Sequence, residues 1–427
     1  MVQFPQEIVD LIVDEMATSS ANDLTSVHII SRPFCLSARR RLFRDLRIRL
    51  SHLNGPSQSD VQLLQLALNS GTSLGSLPSL LTYVKRLFIT FPNSPAPDER
   101  EQDSRTLLDD RVFLGILEQL QSEARLVSLS VECLYSQGTG SEKTWSWQNF
   151  PLHFESTIRS LVNIKTLKAL RLAYIGHVPV SAFKDVSPVR FLTLSNSFFS
   201  ARLLEDDHAF KNVQGIQFDI FCFSDRSVTD PLGVGPFFLQ TRGDLMERCS
   251  ASLKRLSLSI NCVGECPCGK GSADLSFRDA VAITRRSASL FQALDFSRFP
   301  HLETLRMTMG RVSFKEGYIR NLLDLLQDPS PAPSLRTFEV RANVSERDFY
   351  RYFEAHLFDE EWTELDNRIS DMGRFPKLES VVIDFGIRNG VHRNLQEARR
   401  LAVMENGFPR VAERLGDGLV VYVDDTG

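Results

Sequence analysis

Hydrophobic positions recur along most of the chain in one six-residue pattern: apolar, two variable residues, apolar, variable, apolar. The last four positions of each hexad alternate between variable and apolar, which is the two-residue period of a half-buried β-strand. The nine hexads are VKRLFI from residue 84, LVSLSV from 126, LKALRL from 167, VRFLTL from 189, VQGIQF from 213, LKRLSL from 253, LETLRM from 302, LRTFEV from 335 and LESVVI from 378. They predict nine short strands, with core residues at positions four and six that include Leu170, Leu172, Leu192, Leu194, Leu256, Leu258, Leu305 and Met307.

Amphipathic stretches of helical period lie between several of these strands. Examples are 111–124, 318–328 and 392–406, and successive hexads begin 22 to 49 residues apart. Strands and helices that alternate at such intervals are typical of a leucine-rich-repeat-like solenoid. The pattern therefore predicts an irregular α/β solenoid over 84–427, with a conventional α/β domain as the alternative. Pro-, Gly- and acid-rich segments predict loops at 92–105, 136–149, 224–236, 262–274 and 328–334.

Positions three and five of the hexads are predicted to form the open, concave face of the solenoid, because side chains alternate across a sheet. This face holds four arginines and one acidic residue, so it should be mildly basic. Arginine binds carboxylate and phosphate through paired hydrogen bonds, which favours an acidic or phosphorylated protein segment as the target. A solvated face, with capture by the loops, is the alternative. The predicted substrate-binding residues are Arg86, Phe88, Arg171, Thr193, Gln217, Arg255, Arg306 and Glu339.

The first fifty residues have the pattern of three short helices. The first covers 5–16 with Pro5 at its first position, the second begins with a capping-box-like sequence at 20–23, and Pro33 opens the third. Their apolar residues are Ile8, Leu11, Ile12 and Met16, which form one face, then Leu24, Val27 and Ile30, then Phe34, Ala38, Leu42 and Phe43. So small a unit can barely bury enough surface to stand alone, so it is expected to pack against something else.

The string FPQEIVDLIVDEM…NDLTSVHIISRPF…ARRRLFRDL resembles an F-box, in the form common among fungal F-box proteins. The family pattern is an apolar residue with Pro, an acidic amphipathic helix, Asp-Leu, an apolar-Ser-Arg-x-aromatic element and a closing Ala…Leu-Phe. Here Phe34 stands where the family usually has Trp, and Pro33 precedes it. The resemblance covers about a tenth of the chain, and an ordinary helical cap of the following domain is the alternative.

The resemblance implies a substrate-receptor subunit of a Skp–cullin–F-box ubiquitin ligase, which performs no catalysis itself. Residues 1–50 would be the F-box, 51–83 a linker and helical cap, and 84–427 the domain that captures an unidentified target protein. The F-box would bind a Skp-type adaptor, and through it a cullin, with Phe4, Pro5, Ile8, Ile12, Leu24, Ile30 and Phe34. The alternative function is a non-enzymatic scaffold whose N-terminal helices only cap the solenoid.

Two motifs resemble catalytic or metal-binding sequences. GTSLG at 71–75 fits the G-x-S-x-G elbow with Ser73 as nucleophile, but a helical pattern precedes it where the elbow needs a strand. A Ser/Gly loop is therefore favoured. Cys262, Cys266 and Cys268 form a thiol cluster, whereas zinc needs four ligands, so Cys249 or a distant His would have to complete a site. Reversible redox chemistry and incidental loop thiols are the other interpretations, and the last is favoured. No catalytic residue, metal or cofactor is predicted.

Clusters of charged and aromatic residues are better explained by a solvated surface or by packing than by a binding site. Arginines between 39 and 49 are interrupted by Asp45 and lack the aromatic platform of single-strand binders, so a solvated helix face is favoured over nucleic-acid binding. The acidic runs at 205–208 and 359–361 are interpreted in the same way. Trp145 and Trp147 lie in a polar loop, where they would contact a partner or pack back onto the solenoid. Packing back is favoured.

Composition further narrows the possible partners of the protein and its cellular compartment. The 427 residues carry a net charge of −4, which gives no global attraction to nucleic acid or anionic lipid. Seven cysteines, an odd and ordinary number, fit a reducing compartment. The N-terminus lacks the basic region of a signal peptide, and no apolar run is long enough to span a membrane. The sequence therefore predicts a soluble cytoplasmic or nuclear protein without nucleic-acid or membrane partners.

Overall fold

The fold is α/β, with a large parallel sheet of 11 strands among the described residues. The structure is a computed structural model. It describes residues 5–19, 32–50, 61, 64–65, 79–92, 105–134, 145–183, 188–197, 199, 210–223, 245–263, 295–309, 322–323, 325–345, 360–388 and 403–425. The chain folds into two compact units. The first comprises Met1–Arg190 with Ser197–Ala209, and the second comprises Phe191–Asn196 with Phe210–Gly427.

Among the described residues of the first unit, two helices precede the strands. The elements are α1 (Gln6–Ser19), α2 (Arg32–Leu42), β1 (Asp45–Arg49), β2 (Arg86–Pro92), α3 (Arg111–Glu123), β3 (Ser128–Leu134), β4 (Trp145–Ser146), α4 (Leu152–Val162), β5 (Ala169–Ala173) and β6 (Ile175–Gly176). β1, β2, β3 and β5 pair in that order, and β4 pairs with β6 in a separate two-stranded sheet. All of these pairs are parallel, so each strand is followed by a crossover connection.

In the second unit, the order of strands in the sheet follows the order in the chain. The elements are β7 (Phe191–Ser195), β8 (Gly215–Phe223), β9 (Arg255–Val263), β10 (Thr304–Met309), β11 (Thr337–Ser345), α5 (Glu360–Ser370), β12 (Ser380–Arg388), α6 (Pro409–Leu415) and β13 (Leu419–Asp425). Each of these strands pairs in parallel with the next. Sequential parallel pairing of this kind is what the repeated hexad predicts.

The register of the predicted strands is confirmed. In each of the nine hexads, the strand begins at position three. Neighbouring strands align position for position, so that Leu256 lies opposite Leu305 and Leu305 opposite Phe338. Positions four and six are buried, with at most 5% of the residue exposed in the predicted core set of Leu170, Leu172, Leu192, Leu194, Leu256, Leu258, Leu305 and Met307. A slip of one residue would have turned these side chains away from the core.

Two strands of the sheet lie outside the nine predicted ones. The sequence pattern places the β1 region on an arginine-rich helix face, and that assignment is wrong for Arg47 and Arg49, which lie on the strand and are exposed. The segment FRDLRI from residue 43 fits the same hexad, so the signal was present but masked by its charge. β13 could not be found in this way, because Gly416 occupies its first hexad position.

The predicted helix at 111–124 is confirmed as α3. Asp110 begins it, since its Oδ1 accepts hydrogen bonds of 2.9 Å from the backbone N–H groups of Val112 and Phe113. Part of the predicted helix 318–328 is described, and residues 322–323 and 325 are helical. Most of 392–406 lies outside the described residues, and 403–407 forms one π-helical turn.

The composition of the segment around Trp145 and Trp147 predicted a polar loop without a role in the core. That prediction is wrong. Both indoles are buried, and packing back onto the sheet is the correct alternative. Trp145 meets the ring of Phe91 edge to face, with centroids 5.6 Å apart, and Trp147 meets Phe150 at 5.1 Å. The Trp147 Nε1–H donates a 3.0 Å hydrogen bond to Glu155, which satisfies the buried indole.

Among the described helices, none is long and apolar enough to cross a bilayer.

Candidate binding surfaces

Helix α1 packs against α2 through a small apolar cluster. Val9, Val13 and Ala38 are buried at its centre, and Met16, Phe34 and Leu42 pack around them. Met16 therefore packs in this internal cluster, whereas the sequence predicted that it shares one face with Ile8, Leu11 and Ile12. The helix uses the neighbouring face for its internal contact because Val9 and Val13 lie four residues apart on it.

The face that sequence analysis singled out remains in solvent. The exposed fractions are 42% for Ile8, 64% for Leu11 and 39% for Ile12, and Pro5 is exposed beside them in sequence. We call Pro5, Ile8, Leu11 and Ile12 the α1 patch. A helix that is apolar on two sides, with one side packed against described residues and the other exposed, is typical of an interaction site.

The predicted adaptor residues have different positions in the structure. Pro5, Ile8 and Ile12 lie in the α1 patch, whereas Phe34 is half-buried against the α1–α2 cluster. Phe4, Leu24 and Ile30 lie outside the described residues. Leu11 is the most exposed member of the α1 patch, and sequence analysis did not select it for binding although its spacing from Ile8 placed it on the same face.

The predicted substrate-binding residues all lie on the sheet face opposite the buried positions. We call the side chains at hexad positions three, five and seven the polar face. Register aligns them in rows. In the second unit, the row at position five contains Thr193, Gln217, Ser257, Arg306, Glu339 and Val382. Arg86, Arg255 and Arg306 are exposed, and the other predicted residues are half-buried.

In the first unit, the polar face is basic. Asp45 forms a two-point ion pair with Arg86 on the adjacent strand, and the Arg47 guanidinium lies 5.3 Å from the ring centroid of Phe88. Nε of Arg171 is buried and finds no hydrogen-bond partner among the described residues. On the described strands of this unit, the polar face carries two carboxylates, Asp45 and Glu132, and four arginines, Arg47, Arg49, Arg86 and Arg171.

In the second unit, the charges on the polar face balance. Nε of Arg306 donates to Glu339 on the next strand, and one row on, Nε of Arg341 lies 2.9 Å from a carboxylate oxygen of Asp384. On its described strands, this face carries Arg255, Arg306 and Arg341 against Asp219, Glu339 and Asp384. The predicted basic bias therefore holds for the first unit only. The sequence-based prediction counted only the charges at positions three and five, and therefore left out the carboxylates at position seven.

A buried polar group lies on the polar face of the second unit. Asp219 is 6% exposed, and its two carboxylate oxygens each accept a 2.8 Å hydrogen bond, from the Ser195 hydroxyl and from Nε2 of Gln217. The predicted residue Gln217 is therefore held in place by a neighbour that sequence analysis did not select. Buried carboxylates require such donors, because desolvation otherwise disfavours their charge.

The other chemical candidates receive no support as sites. Ser73, Cys266, Cys268 and the acidic run at 205–208 lie outside the described residues, as does the side chain of Cys262. Burial raises the pKa of the Cys249 thiol to about 12, which makes it unreactive. Within the part of the chain that the structure describes, no three His, Cys, Asp or Glu side chains are grouped so as to hold a metal ion.

Comparison with known proteins found no family model that matches this chain and no significant match among curated proteins.

Proposed function

We propose that the chain is the substrate-receptor subunit of a Skp–cullin–F-box ubiquitin ligase. The N-terminal helices act as the F-box and bind a Skp-type adaptor, which connects the chain to a cullin. The sheet and its connections form an irregular leucine-rich-repeat-like solenoid that presents a target protein for ubiquitination. The chain itself then needs no catalytic residue and no cofactor.

The α1 patch is the observation that carries this proposal. The terminal cap of a repeat array normally has a polar outer face, because that face remains in water. Helix α1 has the opposite character, since Ile8, Leu11 and Ile12 are exposed after Val9 and Val13 have packed on α2. A second, exposed apolar face on this helix favours docking on a partner over simple capping.

The arrangement of α1 and α2 also fits an F-box that is attached firmly to the rest of its unit. β1 begins three residues after α2 and pairs with β2 in parallel register, Asp45 opposite Arg86. The short 3₁₀ segment Leu80–Tyr83, which precedes β2, contacts α2. A receptor with this connection holds its target at a fixed position relative to the adaptor.

The polar face of the first unit supports capture of an acidic or phosphorylated protein segment. Its four arginines outnumber its two carboxylates on the described strands, and the Nε–H of Arg171 has no hydrogen-bond partner among the described residues. An extended segment that runs across the rows would bring carboxylate or phosphate oxygens to these guanidinium groups. Arginine suits this role because its planar fork matches both anions.

Co-expression with a Skp-type adaptor, followed by size-exclusion chromatography, tests the proposal. A stable one-to-one complex is the expected result. The alternative, a non-enzymatic scaffold whose N-terminal helices only cap the sheet, predicts that the two proteins elute separately.

A further inference from the structure

A cleft of about 720 Å³ lies in the first unit, next to the amino ends of the first strands. Its walls include one acidic residue, Glu123, and five cationic ones, Arg40, Arg41, Arg44, Lys85 and Arg125. This volume is within the usual range for small-molecule sites. Neither the α1 patch nor the polar face contributes a residue to these walls.

The backbone brings the cations together. Arg44 immediately precedes β1 and Lys85 immediately precedes β2, and the Lys85 N–H donates a 2.9 Å hydrogen bond to the Arg44 carbonyl. The Val127 N–H in turn donates to the Lys85 carbonyl at 2.8 Å, which brings the segment containing Arg125 alongside. Arg40 and Arg41 are supplied by the last turns of α2. Arg44 and Lys85 therefore hold equivalent positions before adjacent strands, and Arg125 lies two residues before the equivalent position of β3.

The positive charge of the cleft is largely uncompensated. Arg41 pairs with Asp14, but Arg40, Arg44, Lys85 and Arg125 form no side-chain ion pair with any described residue. The same hexad position as Lys85 is neutralised in the second unit, where Lys254 pairs with Glu303 at 2.9 Å and Arg336 with Glu379 at 3.3 Å. The charges at this position are therefore paired in the second unit, whereas Lys85 stays unpaired among the described residues.

Tyr83 supplies a second, independent indication of a ligand. The residue is only 9% exposed and lines the cleft, yet its hydroxyl oxygen is buried without a hydrogen-bond partner among the described residues. Desolvation raises the pKa of this phenol, so it stays protonated and remains a donor. An unpaired buried hydroxyl is costly, and a bound anion would satisfy it.

We propose that this cleft binds a small anion that carries several phosphate groups. Guanidinium forks and a lysine ammonium are the side chains best suited to phosphate oxygens, and the neutral Tyr83 hydroxyl adds a donor that a purely electrostatic surface would lack. Several phosphates are required because four unpaired cations surround one opening. A single orthophosphate would reach only some of them.

Isothermal titration calorimetry of the full chain with inorganic tripolyphosphate tests the site, and inorganic orthophosphate serves as the weaker probe. Tripolyphosphate should bind with a Kd below about 1 mM, at least about tenfold tighter than orthophosphate. The double variant Lys85→Glu, Arg125→Glu should weaken binding by at least about tenfold, which is the effect of losing a charge-assisted hydrogen bond. Lys168→Glu is the matched control, because Lys168 is exposed at the same hexad position but does not line the cleft.

The Tyr83→Phe variant separates ligand binding from a structural role. It should weaken tripolyphosphate binding by about threefold or more while thermal stability is unchanged or higher, because the lost hydroxyl has no partner in the unliganded protein. Absence of tripolyphosphate binding to the folded wild type would overturn the proposal. So would an equal loss of affinity in Lys168→Glu, since the anion would then respond to general surface charge.

Discussion

The Ser195 hydroxyl donates a 2.8 Å hydrogen bond to Oδ2 of Asp219, directly across from it on the adjacent strand. Both residues are buried, although they lie on the polar face of the sheet and not in its apolar core. The other carboxylate oxygen of Asp219 accepts from Gln217, two residues earlier on the same strand. One carboxylate therefore connects two strands and fixes a side chain that the sequence predicts for target binding.

Substitution of Asp219 should be costly because it leaves buried donors unpaired. Asp219→Ala is expected to lower the free energy of unfolding by about 2–3 kcal/mol, and Asp219→Asn by about 1 kcal/mol, since the amide retains one acceptor. Urea denaturation of both variants provides the comparison. Losses below about 0.5 kcal/mol in both variants would show that the two hydrogen bonds to the carboxylate contribute little.

The hexad register makes a separate prediction for the core. Leu256 is 1% exposed at position four of its strand, so Leu256→Ala should lower the free energy of unfolding by about 2–5 kcal/mol. Ser257→Ala is the matched control on the neighbouring, half-buried position, and it should change stability by less than about 0.5 kcal/mol. If the two variants were reversed in effect, the register would be wrong.

Most of the fold could be predicted from sequence periodicity, because each strand has one buried and one open face. Positions such as Leu256 and Leu305 alternate with polar residues, and this alternation specifies both strand and register. β1 was missed because its arginines outweighed the apolar residues between them, although Leu46 and Ile48 keep the pattern. β13 lacks the apolar residue that opens the other hexads, and only its pairing with β12 identifies it.

The candidate binding surfaces were less predictable because they depend on pairing between distant segments. Sequence analysis treated Arg86 as a free cation. In the structure, Asp45 lies opposite it on the adjacent strand, 41 residues earlier in the chain, and pairs with it. The cleft around Tyr83 has no local sequence signature, since its cations come from α2 and from the segments that precede β1, β2 and β3. In contrast, the exposure of Ile8 and Ile12 follows from helical spacing within one element.

Asp366 should make the stability of the second unit depend on pH. Its two carboxylate oxygens accept 3.0 Å hydrogen bonds from the Arg410 and Val411 backbone N–H groups in the first turn of α6. Desolvation nevertheless raises its pKa above the ordinary value of 3.8, so the folded state binds the proton more tightly than the unfolded chain. The stability that the group contributes is therefore greatest below the unfolded pKa and declines as pH rises through the folded pKa.

The comparison of wild type with Asp366→Asn isolates this effect, because other carboxylates titrate equally in both proteins. The unfolding free energy of wild type minus that of the variant should fall as the pH is raised from about 3, beginning near the unfolded pKa of about 3.9. Chemical denaturation across this range measures it. A difference that rises with pH would mean that the hydrogen bonds from α6 outweigh desolvation.

Target capture on the polar face predicts a loss of partners on charge reversal. The triple variant Arg47→Glu, Arg49→Glu, Arg171→Glu on the polar face of the first unit should no longer recover an acidic or phosphorylated target in a pull-down, while adaptor binding persists. Arg111→Glu, Arg298→Glu, Arg410→Glu reverses the same number of charges away from this face and serves as the control. Recovery of the same partners by both triple variants would assign capture to the loops instead.

The affinity of the purified chain for a Skp-type adaptor, measured by calorimetry for wild type and two variants, tests the central claim most directly. The double variant Ile8→Asp, Leu11→Asp places charges in the α1 patch, and Leu152→Asp places one at an apolar residue of α4 that is 81% exposed. Wild type and Leu152→Asp should bind equally, and the double variant at least about thirtyfold more weakly, as for the loss of an interface hot spot. Absence of binding by the folded wild type, or equal binding by all three proteins, would contradict the account.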